Sequence, residues 1–320
     1  MPILSRKNLM FSLLVAIFLA SLLPFAASAE ELDPWNLGMA EPMIRVGFHK
    51  TDKKVQFVSP FAYTLNSGGN DLGVLPENEL ATLTYTDGVY SFQSDSLTVT
   101  SSDYLRLVPG DLENYFSIQN LDRHLVTRSQ LNFNTFRGTL EYRYAPKSKV
   151  PYLINELLLE NYVAGIGETS NGAPEEYIKA LQIAARTYAY MNISKVPATT
   201  DRMFDVYAST NDQLYLGYNF ESISPRIAFF TGGTRGMMVT YDSKPVTTYY
   251  FSRSNGYTKS KKNAPWLRSV KAKYDQGYRM LGHGYGMSNY DAAMRAKKDG
   301  WSYEKILTYY YSGTKIEKKY

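Results

Sequence analysis

The 320-residue sequence contains no cysteine. A chain without cysteine has no disulfides, so an exported protein of this composition must rely on its apolar core for the stability that cross-links supply in small secreted domains. Histidine is scarce as well. His49, His124 and His283 stand far apart, and without cysteine beside them no zinc-ligand spacing exists, so neither a metal nor another cofactor is expected. Strong charge of one sign is also missing. The 35 Lys and Arg against 30 Asp and Glu give a net charge of +5, too weak an excess to argue for nucleic acid, though it would suit an anionic cell wall. Long hydrophobic runs are confined to residues 9–25, and no later segment is apolar enough to span a membrane.

That first run follows Arg6 and Lys7 and precedes Ala27-Ser28-Ala29, the small-residue pattern of a signal-peptide cleavage site. Residues 1–29 therefore read as a signal peptide, with an uncleaved membrane anchor as the alternative because the run is long for a signal. Either way the chain is expected to be exported, to the extracellular space or cell wall. Loss of Arg6 and Lys7 leaves 33 basic side chains against 30 acidic ones. The remaining length of about 290 residues suits one or two domains.

Tyrosine is abundant, with 28 residues. Its ring and hydroxyl suit sugar faces and edges as well as sheet packing. Residues 44–144 are rich in strand patterns: "IRVGFH", "KVQFVS", "SLTVT", "LRLV", "RGTLEYRY", and a hairpin in "LATLTYTDGVYSFQ" that turns at Asp87-Gly88. The texture then changes. "INELLLENYVAGIG" predicts a short apolar helix, Pro174 with Glu175 and Glu176 opens a helix over 174–192, and "SNYDAAMRAKKDG" and "SYEKILTYYY" are further helices. "DQLYLGY", "MMVTYD" and "VTTYYFS" predict strands. The expected fold is α+β, with mixed, largely antiparallel sheets and a central buried helix, and with a β-rich N-terminal module (30–135) ahead of the remaining 136–320.

In "GIGETSNGAPEEYIKALQIAARTYAY" a single carboxylate, Glu168, occupies a Gly/Ser/Asn-rich loop directly before the helix. Lys179, Arg186 and Tyr190 lie at i, i+7 and i+11, a narrow stripe at about 100° per residue. The Ala-Ala-Arg-Thr-Tyr-Ala setting allows close packing around a guanidinium that needs a partner. Farther on, Ser252, Ser254, Asn255, Tyr257 and Thr258 place hydroxyl and amide groups in one turn, which fits either sugar hydrogen bonding or an ordinary polar turn. "GHGYGMS" lacks the ending of a phosphate-binding loop. Its glycines are expected to turn the backbone tightly beside a groove, with His283 either structural or a substrate contact.

Three blocks, "INELLLENYVAGIGE…APEEYIKALQIAARTYAY", "TRGMMVTYDSKPVTTYYFSRSNGYT" and "GHGYGMSNYDAAMRAKKDGWSYEKILTYYYSGTKI", resemble in order and spacing the motifs of the stage II sporulation protein D family, and together cover about residues 136–316. The resemblance implies a sporulation protein D-like catalytic domain over 136–320. It also implies a lytic transglycosylase that cuts peptidoglycan glycan strands between N-acetylmuramic acid and N-acetylglucosamine, leaving 1,6-anhydromuramic ends, in some members on peptide-free glycan. By the same resemblance Glu168 is the catalytic acid, and Lys179, Arg186 and Tyr190 carry over as site residues. The departures are Glu-Thr-Ser-Asn where the family often has Glu-Met-Pro, Leu181 in place of a glutamine, and "FSRSNGYT" without the Cys and His through which some members bind zinc.

A glycoside hydrolase normally needs two carboxyl groups, whereas a lytic transglycosylase can cycle one. Protonated Glu168 near neutral pH requires a poorly hydrated pocket. Lys179 and Arg186 touching it directly would oppose this, so they are expected on substrate oxygens or structural carboxylates, or else as stabilisers of the carboxylate after proton transfer. Glycan strands are the expected partner, with a cell-wall amidase or other remodelling protein as a further one. The alternative function is a non-catalytic amidase enhancer or glycan-binding wall protein.

Overall fold

The computed structural model describes residues 40–320 except 127, 194 and 196–201; the expected signal segment lies outside the described residues. Twelve strands come first: β1 (Met43–Lys50), β2 (Val55–Val58), β3 (Tyr63–Ser67), β4 (Asn70–Leu75), β5 (Ala81–Thr86), β6 (Val89–Gln93), β7 (Thr98–Ser101), β8 (Leu105–Pro109), β9 (Tyr115–Ile118), β10 (Thr135–Arg137), β11 (Thr139–Ala145) and β12 (Val150–Leu158). Helices α1 (Leu159–Ala164) and α2 (Glu175–Tyr190) follow, then β13 (Val206–Tyr207), α3 (Tyr218–Ile223) and α4 (Pro225–Gly233). The last part contains β14 (Met237–Tyr241), β15 (Lys244–Pro245), β16 (Tyr250–Phe251), β17 (Met287–Ser288), α5 (Asn289–Asp299), α6 (Tyr303–Tyr310) and β18 (Lys315–Lys318).

Alternation of buried and half-buried residues along β3, β8 and β9 gives each sheet one apolar face. Those faces meet. A seven-stranded sheet in the order β13-β1-β12-β11-β8-β3-β4 and a six-stranded sheet in the order β10-β9-β2-β5-β6-β7 bury Phe57, Tyr63, Phe116 and Phe136 between them. Phe57 contacts Tyr63 across this core with ring centroids 5.1 Å apart. The β5–β6 hairpin turns where the sequence predicts, with Asp87 at φ 50° and Gly88 at φ 86°, both positive as a type I′ turn requires.

The seven-stranded sheet takes strands from both sides of the expected boundary at residue 136, which itself falls inside β10. β1 is held between β12 and β13, and β11 pairs with β8. Antiparallel pairing dominates, and the α+β class is the one expected.

Helix α2 supplies the centre. Ala185 and Ala189 pack into the sheet core, Ala180, Leu181, Ile183 and Ala184 into a cluster with α5 and α6, and Ile178 into a third with α3 and α4. Pro174 precedes its first turn, where Glu175 and Glu176 complement the helix N-terminus, and it ends at Tyr190 rather than 192. Two other expectations are corrected. "INELL" is not helical but the end of β12, because β1 and β11 pair with it on both edges; only "LENYVA" forms α1. "DQLYLGY" is not a strand but a segment held by a single bridge, Ile166 to Tyr215, whose last residue opens α3. Among the described residues no helix is long and apolar enough to cross a membrane.

Candidate active site

The loop bearing Glu168 leaves α1 through Gly165 and is pinned along residues 214–216. The Gly167 amide donates to the Leu214 carbonyl (2.8 Å), and the Leu216 amide to the Gly165 carbonyl (2.8 Å). A Cβ on Gly167 would lie 2.2 Å from Leu216 Cδ1, so any larger residue would displace the buried Leu216 side chain. Glu168 is thereby turned so that Oε1 accepts the Leu214 amide (3.0 Å) while Oε2, sealed from water, has no hydrogen-bond partner.

Burial pushes the Glu168 carboxyl above its ordinary range, against smaller opposing pulls from the nearby Tyr250 hydroxyl and the Leu214 amide. Tyr250 influences the carboxyl without completing a hydrogen bond to Oε2. A carboxyl whose pKa is raised by folding costs no stability below the unfolded value, where both states are protonated, and destabilises the native state as pH rises through the folded value. Glu168→Gln should therefore melt at a higher temperature than the parent at neutral pH, with the gap closing as pH falls below 4. Calorimetry across that range checks this; a neutral-pH melt lower than the parent's would contradict it.

Behind the carboxyl lies a buried network. Gln213 Nε2 donates to the Ala185 carbonyl of α2 (3.2 Å) and to the Tyr250 hydroxyl (2.8 Å). Its orientation is fixed, since only the amide nitrogen can donate to a carbonyl, and its Oε1 accepts from Tyr162 (2.9 Å). Tyr250 thus accepts a hydrogen bond from Gln213 and keeps its own hydroxyl proton for Glu168 or a ligand oxygen. Burial, then the Glu168 charge, raise the Tyr250 phenol well above its usual value, so it stays a neutral donor. Thr248 also bonds α2, at the Ala184 carbonyl (2.7 Å). The Ala184-Ala185 pair thus leaves room for Thr248 and Gln213, not for a guanidinium.

Glu168 borders a cleft of 560 Å³ whose walls include Tyr188, Asp212, Tyr249, Tyr250, Phe251, Ser252 and His283. The "GHGYGMS" glycines turn as expected: Gly282, Gly284 and Gly286 all have positive φ. At Gly286 a Cβ would sit 1.9 Å from the Tyr249 carbonyl, so glycine brings this loop against the Tyr249–Phe251 wall. His283 packs among Tyr249, Phe251 and Tyr285 with centroids 5.5–5.8 Å apart. Its Nδ1 accepts the Tyr285 amide (3.0 Å), which puts the proton of the neutral ring on Nε2. Burial lowers its pKa, opposed by a hydrogen bond to the Tyr250 backbone and aided by Lys261 and Lys259, so the ring is neutral at pH 7.

The cleft contains a second carboxylate, but it is engaged. Asp212 Oδ1 accepts from Tyr188 (2.8 Å); Oδ2 accepts the Tyr207 amide (2.9 Å) and lies 3.4 Å from the Arg202 guanidinium. Glu168 is the cleft carboxyl with an unengaged oxygen.

Of the site residues expected from sequence, Glu168, Ser252 and His283 share the cleft. The helical stripe does not border it. Arg186 is fully buried and forms a paired ion bridge with Glu160 (2.6 and 2.8 Å), whose Oε1 also accepts from Gly236 and Tyr320. Lys179 pairs with Glu175 and Glu176 on its own helix (2.6 and 3.0 Å), and Tyr190 packs against the sheet core. Ser254 and Thr258 are buried in the turn's own hydrogen bonds, to Asp275, Gly256, Arg268 and Val270, while Asn255 and Tyr257 are exposed away from the cleft lining. The residues missed are Tyr188, Asp212, Gln213, Tyr249, Tyr250 and Phe251. Their shared sequence cue is tyrosine density near the matching blocks; Gln213 and Asp212 carry none.

The fold and cleft define an α+β protein with one half-buried cleft carboxyl that has an unengaged oxygen, set among tyrosines. Residues 148–241, which carry Glu168 and α2, match the family described as stage II sporulation protein. The chain is 30% identical over 142 residues to stage II sporulation protein D of Bacillus amyloliquefaciens, covering 38% of this chain and 41% of that one. It is 30% identical over 152 residues to stage II sporulation protein D of Bacillus subtilis (strain 168), covering 42% and 43%. An uncharacterized protein of Brachyspira hyodysenteriae is 32% identical over 147 residues, covering 44% and 38%. Over this matched stretch the chain is similar to the stage II sporulation protein D family. The matched stretch spans about two fifths of the length of these relatives.

Proposed function

We propose that the protein is an exported peptidoglycan lytic transglycosylase with Glu168 as its acid and base. The observation that carries this reading is the Glu168 carboxyl itself: raised by burial, with one oxygen unpartnered, beside a tyrosine-lined cleft. As the acid, Glu168 gives its proton to the oxygen linking muramic acid C1 to the next N-acetylglucosamine, and the C1–O bond breaks. The resulting carboxylate takes the proton of the muramic acid 6-hydroxyl while O6 bonds to C1. The 1,6-anhydro end forms, Glu168 is protonated again, and no water is consumed.

The engagement of both Asp212 oxygens favours this one-carboxyl cycle over hydrolysis, which uses a second carboxylate as nucleophile or base. Tyr250 is suited to follow the charge, since its free hydroxyl proton can stabilise the Glu168 carboxylate between the two steps. Ser252 is placed for sugar hydroxyl or acetamido groups, and the His283 ring lines the cleft beside it. The ammonium of Lys261, over the Tyr249 and Tyr285 rings (5.0 and 4.9 Å), suits the lactyl carboxylate that muramic acid bears once its stem peptide is removed.

The test is mass spectrometry of products from purified peptidoglycan, with and without prior amidase treatment. Anhydromuramic ends are expected, more of them after amidase; reducing ends alone would make the protein a hydrolase and overturn the proposal. Activity is further expected to survive EDTA and exhaustive dialysis. Among the described residues no cluster of three His, Asp or Glu side chains could hold a metal, and the cycle needs no Lewis acid. Loss restored by one particular metal would refute this expectation.

A further inference from the structure

Beside the cleft, outside the residues used above, the surface is unusually aromatic. Tyr278 is 46% exposed, Leu281 45% and Tyr290 37%. The two tyrosine rings meet edge to face at 5.7 Å, and the Arg253 guanidinium lies 4.3 Å from the Tyr278 centroid and 5.9 Å from that of Tyr290. Backbone hydrogen bonds fasten this group to the cleft wall: Arg253 and Leu281 exchange both amide–carbonyl bonds (3.2 and 2.8 Å), and the Tyr290 amide donates to the Ser252 carbonyl (3.1 Å). Ser252, Leu281 and Asn289 all line the cleft. The rings therefore form a shelf continuous with its rim, at chain positions 12 residues apart brought together by the fold.

Large exposed rings are costly to leave in water, and a shelf of tyrosines held by a stacked guanidinium offers exposed ring surface of the kind that takes the face of a pyranose. We infer that the Tyr278–Tyr290 shelf is a further glycan subsite, which holds sugar units of the strand beyond those in the cleft. This rests on the glycan reading of the cleft, and continuity of the shelf with that cleft is what selects the same strand as its occupant. Arg253 acts as a positioning residue that keeps Tyr278 in place. The subsite makes binding depend on strand length.

The test uses the Glu168→Gln protein, so that chemistry does not intervene, and measures its affinity for size-fractionated, amidase-treated glycan strands by calorimetry. Affinity should rise from disaccharide to longer strands. In the Tyr278→Ala/Tyr290→Ala background, long strands should bind about tenfold more weakly, a loss of one stacking contact's size, and disaccharides as before. The Tyr278→Phe/Tyr290→Phe pair, which keeps the rings and their packing, should bind and melt like the parent. Equal loss at both lengths, no loss, or a Phe pair as weak as the Ala pair overturns the subsite while leaving the cleft's assignment standing. Loss of amidase capture with glycan affinity unchanged also overturns it, making the shelf a protein-docking surface. Failure of every strand to bind the parent overturns both readings.

Discussion

Glu168→Gln should lower the release of anhydromuramic ends by at least about 10² to 10⁴, the usual worth of a positioned acid–base group, with the fold intact. The substitution is nearly isosteric at this site. The amide oxygen can accept from Leu214 as Oε1 does, and the new NH₂ would occupy the place of an oxygen that has no partner. What is lost is the proton cycle alone. Activity in the parent should also decline as pH rises past the elevated Glu168 value, because the first step consumes the protonated acid. Product analysis of the pure Gln variant, checked against deamidation, decides the matter: turnover near that of the parent would remove Glu168 from the acid's role.

Arg186→Lys should fail in a different way, by destabilising the fold. The guanidinium is fully buried, uses a two-point bridge to Glu160, and donates as well to the Thr231 and Met237 carbonyls. A lysine ammonium keeps the charge but cannot span these acceptors, and it leaves Glu160 partly unpaired where water does not reach. Disrupting a buried pair typically costs about 3–5 kcal/mol. In a chain of this size that corresponds to a fall in melting temperature of roughly 5–10 °C. Below the new transition, cleavage per folded molecule should remain near that of the parent, because Arg186 does not border the cleft. An unchanged melt with severe loss of product would instead place the guanidinium on the substrate.

The contrast between these two residues marks what the sequence makes legible. Glu168 stands out because glycines, a polar loop and a helix start surround it, all local features. The strand alternation of β2 and β8, the Asp87-Gly88 turn and helices α5 and α6 are local too, and the structure has them where periodicity puts them. The stripe of Lys179, Arg186 and Tyr190 is also real, but periodicity gives the phase of a helix face and not its direction. Tyr188, two residues from Tyr190, lies about 200° around the helix from it. That opposite face is the one the cleft sees. What decides the direction is Glu160, 26 residues earlier in α1, and Gln213, 28 residues after Ala185, neither of which carries a sequence mark. "INELL" likewise reads as helix in isolation and becomes strand because two edges of sheet are waiting for it.

The position of β1 bears on how the protein can be cut. A fragment beginning at residue 136 would keep β11 and β12 but lose their outer neighbours, β8 on one side and β1 on the other, and β13 would lose β1, with which it pairs. Two long apolar strands would then present bare amide and carbonyl rows to solvent on both margins, the arrangement that invites intermolecular sheet growth. The segment that carries the family's motifs is thus not the segment that can be handled alone, and its solubility is supplied by strands lying far outside the motif.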